Sequence, residues 1–140
     1  MKTRCVQLSV LALAIVGTLV ACSDSSSSNQ ESSVLPTRKI DAGTVEVTIT
    51  PIQLDDNGAA FSISLDTHSG ELSLDLTKSS VLKVDDTEWT FESWTGDGPD
   101  GHHRSGEIRF SARGPATGTA ILTIAGLPEP MSATWELNGS

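Results

Sequence analysis

Thr44-Val45-Glu46-Val47-Thr48-Ile49-Thr50 decides the fold, because its apolar residues fall at every second position with threonine and glutamate between them. A period of two belongs to a half-buried strand, whose successive side chains point to opposite faces, and not to an amphipathic helix. Working outward, the same alternation returns at Phe61, Ile63 and Leu65, at Leu72, Leu74 and Leu76, and at Leu82 and Val84. It continues at Trp89 and Phe91, Ile108 and Phe110, Ala120 to Ile124, and Met131 to Leu137. Turn signals separate these segments: Asp55-Asp56-Asn57-Gly58, Ser69-Gly70, Asp85-Asp86, Gly96 to Gly101, Gly114-Pro115 and Gly126 to Pro130. Seven or eight short strands, each apolar on one face, predict two sheets packed face to face. The expected fold is all-β, a single immunoglobulin-like antiparallel β-sandwich, with a small barrel as the other way of closing such strands. The two cysteines that flank a tryptophan in antibody domains are absent, so the likeness is one of architecture.

Upstream of this domain the composition changes twice. Lys2 and Arg4 precede an apolar run from Val6 to Val20, the charge-then-hydrophobe order of an export signal. The run is short for a membrane span. It ends in Leu19-Val20-Ala21-Cys22, and a serine-rich stretch, Ser23 to Ser33, follows. Such a stretch has nothing to bury and reads as a solvated tether.

Leu19-Val20-Ala21-Cys22 resembles the lipobox of bacterial lipoproteins. The resemblance implies cleavage before Cys22, a diacylglycerol on its thiol and a further acyl chain on the new amine. Two or three chains, at roughly 0.8 kcal/mol per buried methylene, hold a protein firmly on a bilayer. The expected organisation is a signal peptide over 1–21, a lipidated cysteine and linker over 22–35, and a β-sandwich domain over 36–140. The resemblance also implies an exported, membrane-anchored protein. Ser23, where an aspartate favours retention in the inner membrane of enterobacteria, favours the outer membrane in a cell that has one.

Cys5 falls within the signal, so the domain contains no cysteine and no disulfide can hold it. Its stability has to come from a core. Without Lys2 and Arg4 there are seven basic residues against eighteen acidic, a formal charge of −11. Nucleic acid is therefore excluded as a partner class, because phosphate binding needs clustered lysine and arginine.

All three histidines lie in two loops. One is Leu65-Asp66-Thr67-His68-Ser69-Gly70-Glu71, and the other runs from Trp94 to Gly106 with four glycines, Asp97, Asp100, His102, His103 and Arg104. The second, at thirteen residues, is of a length that within a small domain is more often functional than accidental. A metal reading takes His68, His102 and His103 as imidazole ligands for zinc or copper, with Asp97 or Asp100 completing the shell. A structural reading makes those aspartates the acceptors that shape a glycine-rich loop, and pairs Arg104 with one of them. Ser69 beside His68 lacks the elbow of a serine hydrolase. The aspartates of neither loop nor Asp55-Asp56-Asn57 follow the twelve-residue calcium pattern. Trp89 and Trp135 read as core. Trp94 either stacks on a ligand or anchors the base of the loop through its indole nitrogen.

The Thr67-His68-Ser69 strand end and the Trp94-to-Gly106 loop, with its Gly101-His102-His103-Arg104-Ser105-Gly106 run, resemble small exported bacterial β-domains of no assigned activity. Asp100 stands where their pattern has glycine. The sequence as a whole predicts a non-catalytic binding module of the cell envelope with no cofactor. Its partner would be an envelope protein or small ligand, met at Trp94, Arg104 and the histidine loops. The alternative is a copper- or zinc-handling protein using the same histidines.

Overall fold

The computed structural model describes residues 34–138. The export signal, the lipobox with Cys22 and the serine-rich linker lie outside the described residues, apart from the linker's last two positions. The domain is built of eight antiparallel strands and a single helical turn. In chain order these are β1 (Arg38–Ala42), β2 (Val45–Asp55), β3 (Gly58–Thr67), α1 (Leu76–Ser79), β4 (Ser80–Val84), β5 (Thr87–Gly96), β6 (His103–Ser111), β7 (Gly118–Ile124) and β8 (Met131–Leu137).

Spatial order is β1-β2-β3-β6-β5-β4-β7-β8, one continuous sheet. β5 is where it folds over. Leu82 to Val84 of β4 pair with Trp89 to Thr87, whereas Thr90 to Gly96 pair with β6, and a register shift falls between Phe91 and Ser93. The halves on either side pack face to face: the rings of Phe61 (β3) and Trp135 (β8) are 5.1 Å apart. At the seam, Arg38 Nε donates to the Thr134 carbonyl at 3.0 Å and Trp135 Nε1 to that of Pro36 at 2.8 Å. Because β4, β5 and β6 form a meander and β7 returns to lie beside β4, the middle of the sheet is a Greek key. The all-β sandwich is thus as the alternation predicts, and its likeness to immunoglobulin domains is in the layering and not in the strand order.

The predicted inward residues form one core: Val45, Val47, Ile49, Phe61, Ile63, Leu65, Leu82, Trp89, Ile108, Phe110, Leu122, Ile124 and Trp135 are all buried. Three segments differ from their reading. The long loop from Trp94 to Gly106 is mostly hairpin strand, since Trp94 to Gly96 belong to β5 and His103 to Gly106 to β6, paired through Gly96 and Gly106, so the loop itself spans only 97–102. Leu72 to Leu76 is not a strand but an extended crossover between the sheets that ends in α1, capped by Asp75 Oδ1 on Thr77 N at 3.0 Å. Its alternation is real, since Leu72 and Leu76 are buried and Leu74 half-buried, but only Leu72 pairs through its backbone, with the loop at Asp100 and Gly101, and the segment forms no strand of the sheet. β1 is an edge strand with the weak apolar signal of Ile40 and Ala42 alone, and periodicity did not identify it.

β2 sets the long dimension of the domain. At its start Val45 pairs with Thr67, beside the first histidine loop, and at its end the Asp55–Gly58 pair closes the β2–β3 hairpin. Ten residue steps of about 3.3 Å put these two ends roughly 33 Å apart. The chain enters at the second end, where Thr37 Oγ1 meets Thr50 Oγ1 at 3.0 Å. The domain therefore has an entry pole and, opposite, a histidine pole. Among the described residues no helix is long and apolar enough to cross a membrane.

Candidate functional site

The two histidine loops meet. Thr67 N donates to the His102 carbonyl at 2.9 Å, Leu72 N to that of Gly101 at 2.9 Å, and Asp100 N to that of Leu72 at 3.1 Å. This small ladder continues the β3–β6 pairing past its formal end, where Asp66 faces His103. Asp100 and Gly101 turn the loop with φ of 82° and 84°. Aspartate tolerates that region better than most residues, so Asp100 keeps the turn that glycine would make.

Arg104 holds the arrangement from beneath. It is 3% exposed. The sequence pairs it with a loop carboxylate, and here the structure differs: its Nη1 donates to the carbonyls of Leu72 at 3.0 Å and Leu74 at 2.7 Å, and its Nη2 to that of Asp97 at 3.5 Å. Its Nε has no partner among the described residues. The physical reason is its place in β6, where Arg104, Ile108 and Phe110 share the inward face while the loop carboxylates stay outside. Buried guanidinium here meets carbonyl dipoles, so the crossover from Leu72 to Leu74 is tied to the second loop.

Trp94 completes the base. Its ring lies 5.9 Å from the Arg104 guanidinium carbon, and its Nε1 donates to the Asp97 carbonyl at 3.1 Å. Of its two predicted roles this is the anchor. The cross-strand pair Gly96 and Gly106 makes room for it, because a Cβ at Gly106 would stand 2.7 Å from the indole and 2.6 Å from the Thr95 carbonyl oxygen.

The acidic residues are occupied by the fold. Asp97 Oδ2 accepts from Ser105 N at 2.8 Å and Ser105 Oγ at 3.1 Å, and these bonds hold its carboxyl below the ordinary carboxylate range. His103 Nδ1 is hydrogen-bonded to Asp66 Oδ1, while Asp66 Oδ2 accepts from Ser64 Oγ at 3.0 Å. The histidine first and the serine second keep the Asp66 carboxyl low. The role of Asp66 was missed from sequence, although strand alternation places it on the outer face of β3, where a β6 residue must stand opposite.

His68, His102 and Asp100 are exposed, and no side-chain hydrogen bond engages them. Among the described residues no three His, Cys, Asp or Glu side chains converge on a point that a metal ion can occupy. The histidine loops are therefore neighbours, as a metal centre requires, but His103 is committed to Asp66 and Asp97 to Ser105. Among the described residues no serine or threonine hydroxyl hydrogen-bonds to a histidine side chain, so the Ser69–His68 neighbours do not form a Ser–His pair. Beside the loops lies an open groove of about 350 Å³ lined by Thr44, Thr67, Ser69, Leu72, Leu74 and Leu127. Buried Thr67 sits at its base, with Oγ1 2.9 Å from the carbonyls of Thr44 and Ser69. The pole presents a fixed polar surface of imidazoles, carboxylates and loop backbone. In comparisons with protein-family models, curated proteins and solved structures, nothing matches this chain.

Proposed function

We propose that this is a lipid-anchored protein of the cell envelope whose β-sandwich is a non-catalytic binding module, with the histidine pole as its contact surface. The observation that carries the reading is the opposition of the two poles. The chain leaves the domain toward Cys22 at one end, and the loops pinned by Arg104 stand roughly 33 Å away at the other. A tether at one end and a pre-ordered polar surface at the other suit a protein that reaches from a bilayer to a partner. Pre-ordering lowers the entropy lost on binding, which favours a fixed loop over a mobile one.

Photo-crosslinking in intact cells tests this reading, with a reactive amino acid placed at His102, or at Lys83 on the outer face of β4. A discrete adduct at position 102 and none at 83 is the expected result. Equal labelling at both, or none at either, counts against the histidine pole as a contact surface.

A further inference from the structure

At the entry pole β2 carries an irregularity with an exposed apolar side chain. The register slips between Pro51 and Gln53, leaving Ile52 without a partner across the ladder and 56% exposed. β1 pairs with β2 only as far as Ile49, so this stretch of β2 has lost its outer neighbour. Pro51 blunts the bare edge, as proline does on edge strands. Blunting does not require isoleucine at the bulge, where a polar residue would cost nothing and would expose less apolar surface to water. Bulges re-aim side chains. Here the bulge turns Ile52 onto a groove of about 360 Å³ that it shares with Val34, Leu35, Leu54 and Leu137.

We infer that this groove and Ile52 rest on the surface of the bilayer that holds the anchor. The inference depends on lipidation of Cys22 as proposed above. Eleven residues separate Cys22 from Val34, a reach of at most roughly 40 Å at about 3.5 Å each, and because they join the domain at this pole the anchor draws this end, not the histidine pole, toward the lipid. Val34, the first described residue, is itself exposed and lines the same groove, so the tether runs out of the groove. The rim also specifies the lipid. Asp55 is satisfied by Gln53 Nε2 and Asn57 N, and Asp56 by Ala116 N, and among the described residues no lysine or arginine bridges either one. Two unneutralised carboxylates beside the apolar contact select zwitterionic headgroups over anionic ones.

The test uses the chain from Cys22 onward, its thiol coupled to a maleimide phospholipid in phosphatidylcholine nanodiscs, with isoleucine methyls labelled for NMR. A spin-labelled lipid near the headgroups should abolish the Ile52 methyl signal and spare that of Ile121, an isoleucine 36% exposed in the middle of β7. Adding phosphatidylglycerol should restore part of the Ile52 signal. Equal broadening of the two methyls, or none at either, overturns the inference. Because the anchor is supplied chemically, this outcome is independent of whether cells lipidate Cys22, which palmitate labelling decides separately.

Discussion

Replacing Arg104 by methionine keeps most of the buried volume but removes the donors that satisfy the carbonyls of Leu72 and Leu74. Leaving buried carbonyls unpaired costs about 1–3 kcal/mol each, so a loss of about 3 kcal/mol is expected in urea unfolding. Arg104→Lys should recover only part of it, since an ammonium lacks the planar fork that reaches two carbonyls at once. On the acid side, the carboxyls of Asp55, Asp66, Asp75 and Asp97 all lie below the ordinary value of 3.8, Asp75 at about 2 through Thr77 and Lys78. A carboxyl depressed in the folded state stabilises it above the unfolded pKa and loses that contribution as pH falls through the folded one. Stability should therefore be level down to about pH 4 and fall from there toward pH 2, read by urea midpoints across that range. NMR titration of Asp66 should show its pKa rise toward 3.8 in His103→Gln, the variant that removes its first partner.

Between elements, the Gly96–Gly106 pair shows how β5 and β6 create space for Trp94. Gly106→Ala should displace the indole at a cost of about 1–3 kcal/mol, typical of an overfilled site, with a change in tryptophan emission. Much at this scale was legible in the sequence, because a two-residue period depends only on which face meets the core. β2, β3 and β4 to β8 follow from it. The Leu72-to-Leu76 crossover was misread because burial on one side produces the same alternation whether or not the backbone joins a ladder. The folding of the sheet at β5 and the bulge at Ile52 depend on register, which single-residue periodicity does not encode. At the site, each loop was legible through its histidines, but their meeting in space was not, because it depends on the β3–β6 pairing. Arg104 beneath them was not, since a lone arginine in a loop sequence gives no sign that it is buried.

For the molecule as a whole, the two poles join the features at either end of the chain into one account. The alternation of β2 makes a long strand, and the strand separates chain entry from the histidine loops. The core of Phe61, Trp89, Phe110 and Trp135 makes the separation rigid without a disulfide. In the proposed reading, acidity spread along the chain favours solubility beside a bilayer, and an anchor at Cys22 would leave the histidine pole as the one presented. The central claim is that Cys22 carries the lipid. Cells producing the chain and its Cys22→Ser variant can be fed a clickable palmitate, then separated into membrane and soluble fractions. The account predicts labelled protein in the membrane fraction, with both the label and the membrane association lost in the variant. An unlabelled chain, or one that remains with membranes after Cys22→Ser, would contradict it.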